Sequence, residues 1–175
     1  MNFSLIAAVD SKNGIGKGGK LPWNLPSDLA YFSKVTRGAG NNAVLMGRTT
    51  WESIPERHRP LPGRLNIVLT HDALYELPQA VLRAASLSEA LDLAAVHKVD
   101  EIFVIGGAKL FAEAVEHQAC TRLYLTHLEG EFHCDTFFPK ISSDSNGTKF
   151  KQTKSSESLE ENGIRFQFTQ YEKIR

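Results

Sequence analysis

Glu101-Ile-Phe-Val-Ile-Gly-Gly-Ala-Lys-Leu-Phe111 (EIFVIGGAKLF) decides the fold. Ile102 to Ile105 form a continuous apolar run of strand length within the segment Glu101 to Ile105. Gly106-Gly107 ends it, and a helical pattern covers Ala108 to His117. A strand apolar at successive positions, rather than at alternate ones, suits burial on both faces, as in a parallel sheet. Phe3 to Val9 (FSLIAAV), Ala43 to Met46 (AVLM) and Leu65 to Leu69 (LNIVL) read the same way. Between them lie helical patterns: one starting near Ser27, a short one over Thr49 to Ile54, and one through Ala95 opened by the capping box Ser86-Leu-Ser-Glu89. Strand and helix alternate, so the expected fold is α/β with helices on both faces.

The last third differs. Arg122 to Leu128, Phe150 to Ser155 and Ile164 to Tyr171 alternate, and Glu-Asn-Gly at 161–163 supplies turn chemistry, which predicts an antiparallel C-terminal hairpin. Ile141 to Thr148 reads as a polar surface loop. The 175 residues fit one domain spanning 1–175, without repeats or a separating linker.

Twenty basic and twenty acidic residues give a net charge of zero, hence no electrostatic case for nucleic acid or an anionic membrane. Cys120 and Cys134 are too few for a disulfide scaffold and read as free thiols of a reducing compartment. The first seven residues lack the basic start of a secretion signal, and no apolar run approaches the ~20 residues of a membrane span. A cytoplasmic, monomeric protein acting on small molecules is expected.

Asn13 to Gly19 holds four glycines in seven residues, so it is a mobile or tightly turned loop after a buried strand, where α/β proteins place ligands. A lid is the functional reading; an ordinary surface loop is the plainer one. Gly106-Gly107 and Met46-Gly-Arg-Thr-Thr-Trp51 each run from strand end through glycine into a helix, an arrangement whose N–H groups suit phosphate, although any strand-to-helix turn uses glycine. Arg48 is a candidate clamp. Asp28 lies in the first turn of a helix, four residues before Phe32 and on its face. The helix dipole explains a carboxylate there, but not its position on an apolar face. His127, His133, Cys134 and Asp135 are metal-ligand types without a standard zinc spacing, so no metal is expected.

Ser4-Leu-Ile-Ala-Ala8, Gly14-Ile-Gly16, Leu21-Pro-Trp-Asn-Leu-Pro-Ser-Asp28, Met46 to Ile54, Leu61-Pro-Gly-Arg-Leu-Asn66, Val104-Ile-Gly-Gly107, Leu123-Tyr-Leu-Thr126 and Asp135-Thr-Phe-Phe-Pro139, in this order, resemble dihydrofolate reductase over nearly the whole chain. The resemblance implies a twisted, mostly parallel sheet of about eight strands. It implies reduction of 7,8-dihydrofolate to tetrahydrofolate with NADPH, with folate and antifolates as further ligands. Asp28 would hold the pterin 2-amino group and N3 and favour protonation of N5, with Thr126 bonded to it. Trp23 would order a water beside it, as a roof, and Leu21 would end the lid. Ile6 and Ile105 would offer carbonyls and apolar surface. Phe32, Ile54 and Leu61 would flank the pterin and aminobenzoyl rings, and Arg64 would grip the α-carboxylate of the glutamate tail.

For the cofactor, the resemblance implies backbone bonds from Ala8 and Ile15 to the carboxamide. Gly106, Gly107, Ala108, Lys109, Leu110, Thr49 and Thr50 would cradle the pyrophosphate. Arg48, with Thr70, His71 or Lys109, would meet the 2′-phosphate. Gly16, Gly47, Leu69, Ile105 and Phe111 complete that set. Leu21 replaces the methionine of many bacterial members, and Phe111 replaces a common tyrosine. A relative that reduces another heterocycle, and a binding module without turnover, are the competing readings. The joint presence of Trp23, Asp28, Arg64 and Thr126 argues against both.

Overall fold

The computed structural model describes residues 1–141 and 149–174. Eleven strands occur in chain order: β1 (Phe3–Val9), β2 (Gly14–Gly16), β3 (Ala43–Gly47), β4 (Leu65–Leu69), β5 (Val81–Ala84), β6 (Ile102–Val104), β7 (Cys120–Leu128), β8 (Thr136–Phe137), β9 (Phe150–Ser155), β10 (Leu159–Glu161) and β11 (Ile164–Lys173). The helices are α1 (Pro26–Arg37), α2 (Arg48–Ser53), α3 (Leu87–Val96) and α4 (Ala108–Glu116). Nine strands form the main sheet in the order β10-β11-β7-β1-β6-β3-β4-β5, with β9 also paired to β11. The pairs among β7, β1, β6, β3, β4 and β5 are parallel, and β11 runs antiparallel to β7, β9 and β10.

The continuous apolar runs do what their pattern predicts. Leu5, Leu45, Ile67 and Val104 pack on one face with Leu87, Ala90 and Leu110 of α3 and α4. Their sequence neighbours Ile6, Val44, Val68 and Phe103 pack on the other, with Trp51 of α2 and with Phe32 and Val35 of α1. Each fully buried Leu, Ile or Phe contributes ~1.5–3 kcal/mol, so these two layers hold the sheet. Ser86 caps α3 by accepting the Glu89 N–H, and Glu89 in turn accepts the Ala85 N–H.

Two details differ from the sequence reading. The Asn162-Gly163 turn joins β10 to β11 rather than Ser155 to Ile164 directly, and the three residues Leu159–Glu161 form an edge of the sheet. Gly14–Gly16 is not bare loop: it pairs with Thr136–Phe137 as a second, two-stranded sheet. The loop expected at 141–148 lies, apart from Ile141, outside the described residues.

Among the described residues, no helix is long and apolar enough to cross a membrane. Cys120 is fully buried beside the β1–β7 ladder, and burial pushes its thiol up to about 12. In the folded chain at pH 8, a thiol reagent should leave Cys120 unlabelled while slowly reaching half-buried Cys134, as read by peptide mass analysis. Rapid labelling of Cys120 would contradict this burial.

Candidate active site

The carboxyl ends of β1, β3, β4 and β6 open on one cleft of about 1670 Å³, the place where open α/β sheets bind ligands. Ile6 and Ala8 of β1, Gly47 of β3, Leu69 of β4 and Ile105 after β6 line it. So do Asp28, Phe32, Ile54, Leu61, Arg64 and Thr126 toward one end. Ile15, Gly16, Leu21, Arg48, Thr49, Thr50, Thr70, His71, Gly106, Gly107, Ala108, Lys109, Leu110 and Phe111 line the remainder. The two sets of predicted residues therefore share one continuous space.

Asp28 is the third residue of α1 and is 8% exposed. The Thr126 hydroxyl, from β7, donates to its Oδ1 at 2.6 Å. Burial pushes the Asp28 carboxyl above its ordinary range; the Thr126 bond pulls it down, and the charge of Glu161 pushes it up again. The result is a carboxyl with a fixed orientation and one oxygen bonded to Thr126, held in an apolar wall with Ile6, Phe32 and Ile105.

Arg64 stands at the mouth. Its Nη1 donates to Thr36 Oγ1 at 2.8 Å and its Nε to the Pro62 carbonyl at 3.0 Å, and its guanidinium carbon lies 6.0 Å from the Phe32 ring centre. Burial, and then the charge of Arg37, hold it below the usual arginine range. Two of its five N–H groups are engaged, so the planar fork keeps donors for an anion.

At the other end, α2 and α4 both begin at glycine, with Gly47 and Gly107 as N-caps and no side-chain cap. The Gly47 N–H donates to the Gly106 carbonyl at 2.8 Å, which ties the two turns together. The Gly106–Gly107 peptide is cis. A Cβ on Gly106, whose φ is +124°, or on Gly107 would lie 3.3 Å from Thr50 Oγ1. Free helical N–H groups and the absence of side-chain bulk make a cradle that fits a pyrophosphate.

Two placements go beyond the sequence reading. Trp23 is not among the residues that line the cleft. It is buried with Leu25, Leu128 and Phe166, edge-on to Phe132 at 5.3 Å, because the Pro22–Pro26 connector turns it into a small core of its own. Its Nε1–H has no protein partner among the described residues, the kind of buried donor that an ordered water satisfies. Arg48, in the cleft lining with Thr70, His71 and Lys109, also meets acids: its Nε bonds Glu52 at 2.8 Å, its Nη1 reaches Asp72 at 3.5 Å, and its guanidinium lies 4.2 Å from the Tyr75 ring centre.

Several residues were not foreseen. Leu29, Tyr31, Arg57 and His58 line the cleft. Tyr31 follows Asp28 at i+3, a spacing that was available as a signal, and its ring stacks on Phe168 at 4.0 Å. Glu113 is a second acid in the lining, on α4. Asp10 is buried and accepts the N–H groups of Lys12, Gly14 and Phe132. Burial pushes this carboxyl up, but the three N–H bonds outweigh it and leave the group below its ordinary range. The Asp10 to Lys12 bond, an Asx turn, is its local mark. Asp135 accepts the Gly18 N–H at 2.8 Å, and Thr136 donates to the Gly16 carbonyl at 3.2 Å. The glycine-rich segment is thus the tightly turned alternative, laced to residues 132–137. The metal-type residues disperse: His127 Nε2 meets the Tyr171 hydroxyl at 2.9 Å, and Cys134 faces Asp10.

The α/β fold and its cleft bring the buried Asp28 carboxyl and the two glycine-capped helix starts into one continuous space, an arrangement that suits an enzyme with a phosphorylated cofactor. The dihydrofolate reductase family profile matches residues 2–173. A dihydrofolate reductase of Aedes albopictus is 40% identical over 181 residues, covering 98% of this chain and 97% of that protein. The solved Schistosoma mansoni dihydrofolate reductase superposes with a TM-score of 0.84 at 39% identity, covering 99% of each chain. A bifunctional dihydrofolate reductase-thymidylate synthase of Daucus carota is 41% identical over 99% of this chain, which spans 34% of that longer protein. The chain belongs to the dihydrofolate reductase family, a family of oxidoreductases.

Proposed function

We propose that NADPH is the hydride donor and that Asp28 governs protonation of the pterin. The reaction is the family's own: the enzyme reduces 7,8-dihydrofolate to tetrahydrofolate with a nicotinamide cofactor and so feeds one-carbon metabolism. The observation that carries the assignment of roles is the buried Asp28–Thr126 pair, a fixed carboxylate in an apolar slot that opens into the phosphate cradle.

Bound in the cradle, NADPH supplies the hydride. Every other task falls to the chain. Ile6, Phe32, Ile54, Leu61 and Ile105 hold the pterin and aminobenzoyl rings and exclude water, which strengthens each charge interaction inside. Asp28 accepts the 2-amino and N3 hydrogens of the pterin and thereby raises the basicity of N5. The Thr126 hydroxyl fixes the carboxyl's rotation, so orientation is set before substrate arrives. The proton reaches N5 through water, with the unpartnered Trp23 N–H as one anchor of that path. The backbones of Ala8 and Ile15 orient the carboxamide. The N–H groups after Gly47 and Gly107, with Thr49 and Thr50, receive the pyrophosphate. The Arg64 fork receives the α-carboxylate of the glutamate tail.

Arg48 is the selectivity group for the 2′-phosphate, with Thr70, His71 and Lys109 beside it. Arg48→Ala should raise the KM for NADPH about tenfold and leave that for NADH within a factor of two, measured by initial rates with each cofactor. Equal losses would place the phosphate elsewhere. The same reading makes residues 1–175 one functional unit, a cytoplasmic monomer whose cleft also accepts antifolates. A direct assay mixes purified protein, NADPH and dihydrofolate and follows cofactor absorbance. Turnover with NADPH well above that with NADH supports the reading. Binding of both ligands without turnover would leave a binding module.

A further inference from the structure

The helix that carries Asp28 lacks a cap of its own. Its N-cap residue is Leu25, whose side chain has no oxygen to offer, and Pro26 follows at the first helical position. Asp28 sits at the third, where a carboxylate ordinarily turns back on the free N–H groups. Here that carboxylate is committed to Thr126 and the cleft. The Asp28 and Leu29 N–H groups reach the Leu25 carbonyl at 3.0 and 3.1 Å, which leaves the Ser27 N–H to be satisfied.

The missing acceptor comes from 134 residues along the chain. The Ser27 N–H donates to Glu161 Oε1 at 2.9 Å, and the Ser27 hydroxyl donates to Oε2 at 2.5 Å. Next to Glu161, the Asn162 side chain donates to the Asn24 carbonyl at 2.9 Å. The β10–β11 turn therefore grips the chain on both sides of Leu25 and Pro26. A carboxylate at a helix N-terminus is also favoured by the dipole.

We propose that Glu161 is a positioning residue for the reaction: it caps α1 in trans, and so fixes the helix turn from which Asp28 reaches the substrate. Asp28 is thereby released from capping and can face the pterin. The position of Glu161, next to Ser27 and within electrostatic reach of Asp28, makes its effect local to the pterin end of the cleft rather than to the cofactor cradle. This inference rests on the role assigned to Asp28.

Initial rates of Glu161→Ala, Glu161→Gln and Asn162→Ala, with KM for dihydrofolate and for NADPH determined separately, test it. Glu161→Ala should raise the dihydrofolate KM and slow single-turnover hydride transfer, each by roughly 3–10-fold, the range of a lost helix cap. The NADPH KM should stay within a factor of two. Glu161→Gln should recover most of the loss, because its amide oxygen still accepts the Ser27 N–H. Asn162→Ala loses the other tie but keeps the cap, and should stay close to the parent in dihydrofolate KM. An unchanged Glu161→Ala, equal shifts in both KM values, no rescue by glutamine, or the same effect from Asn162→Ala would each overturn the proposal. If Glu161→Ala does not fold, Glu161→Asp, whose shorter side chain cannot reach the Ser27 N–H, reads the same split: a threefold rise in dihydrofolate KM alone supports the cap, and no change overturns it. Asp28→Asn separates the two levels. If that variant keeps its rate, the role of Asp28 falls; if it loses its rate while the Glu161 variants do not, only the positioning proposal falls.

Discussion

Asp28→Asn is expected to slow hydride transfer at pH 7 by about 10²–10⁴-fold, the span that a positioned acid–base group supplies. The asparagine amide keeps the size of the side chain and still accepts the Thr126 hydroxyl, but it cannot hold both the 2-amino and N3 hydrogens or favour a proton on N5. The loss should shrink as the pH falls, because solvent then protonates the substrate without help. Stability should move the other way. Burial raises the Asp28 carboxyl, so the folded state disfavours its ionised form. That cost is absent below the ordinary pKa of 3.8, grows as the pH rises, and is complete above the raised value. Asparagine removes it, so the Tm at pH 7 should be no lower than that of the parent. Slow chemistry in an equally stable chain would identify a functional carboxylate. A parent-like rate at pH 7 would remove Asp28 from the reaction.

The second large effect concerns the substrate tail. Arg64→Ala should raise the dihydrofolate KM by about 30-fold or more, because truncating one partner of a hydrogen-bonded charge pair costs ~2–5 kcal/mol. The KM for NADPH should not move. Thr36 keeps a partner in the variant, since its hydroxyl already donates to the Phe32 carbonyl at 2.8 Å. Arg64→Lys should recover little, because an ammonium cannot reproduce the planar fork. A pterin without a glutamate tail separates binding from structure: its KM should be the same with parent and variant. If the tailless substrate suffers equally, Arg64 acts through the fold of the mouth instead.

Much of this architecture was legible because it is repeated pattern. Ala43 to Met46 is buried at every position, and only a strand covered on both faces asks for that. Glycines after β3 and β6 marked the two helix starts that face the cleft. What escaped the sequence depends on contacts between distant residues. β2, β8 and β10 have two or three residues each, too few to show a period, and pairing alone defines them. The small core around Trp23 was hidden because the proline-rich connector carries no periodicity to say which way the ring faces. The acids on Arg48 include Asp72, from a separate loop 24 residues on. Glu161 ends the three-residue strand β10, and nothing nearby in the sequence links it to Ser27.

A ternary structure with NADP⁺ and folate measures directly how the cleft seats its two ligands. The pterin 2-amino group and N3 should lie about 2.7–3.2 Å from the Asp28 carboxylate oxygens. The nicotinamide should stack on the pterin with its carboxamide on the backbones of Ala8 and Ile15, and the α-carboxylate should meet Arg64. A pterin bound with Asp28 unengaged, or a nicotinamide outside the space between Ile15 and Gly106, would contradict the proposed roles.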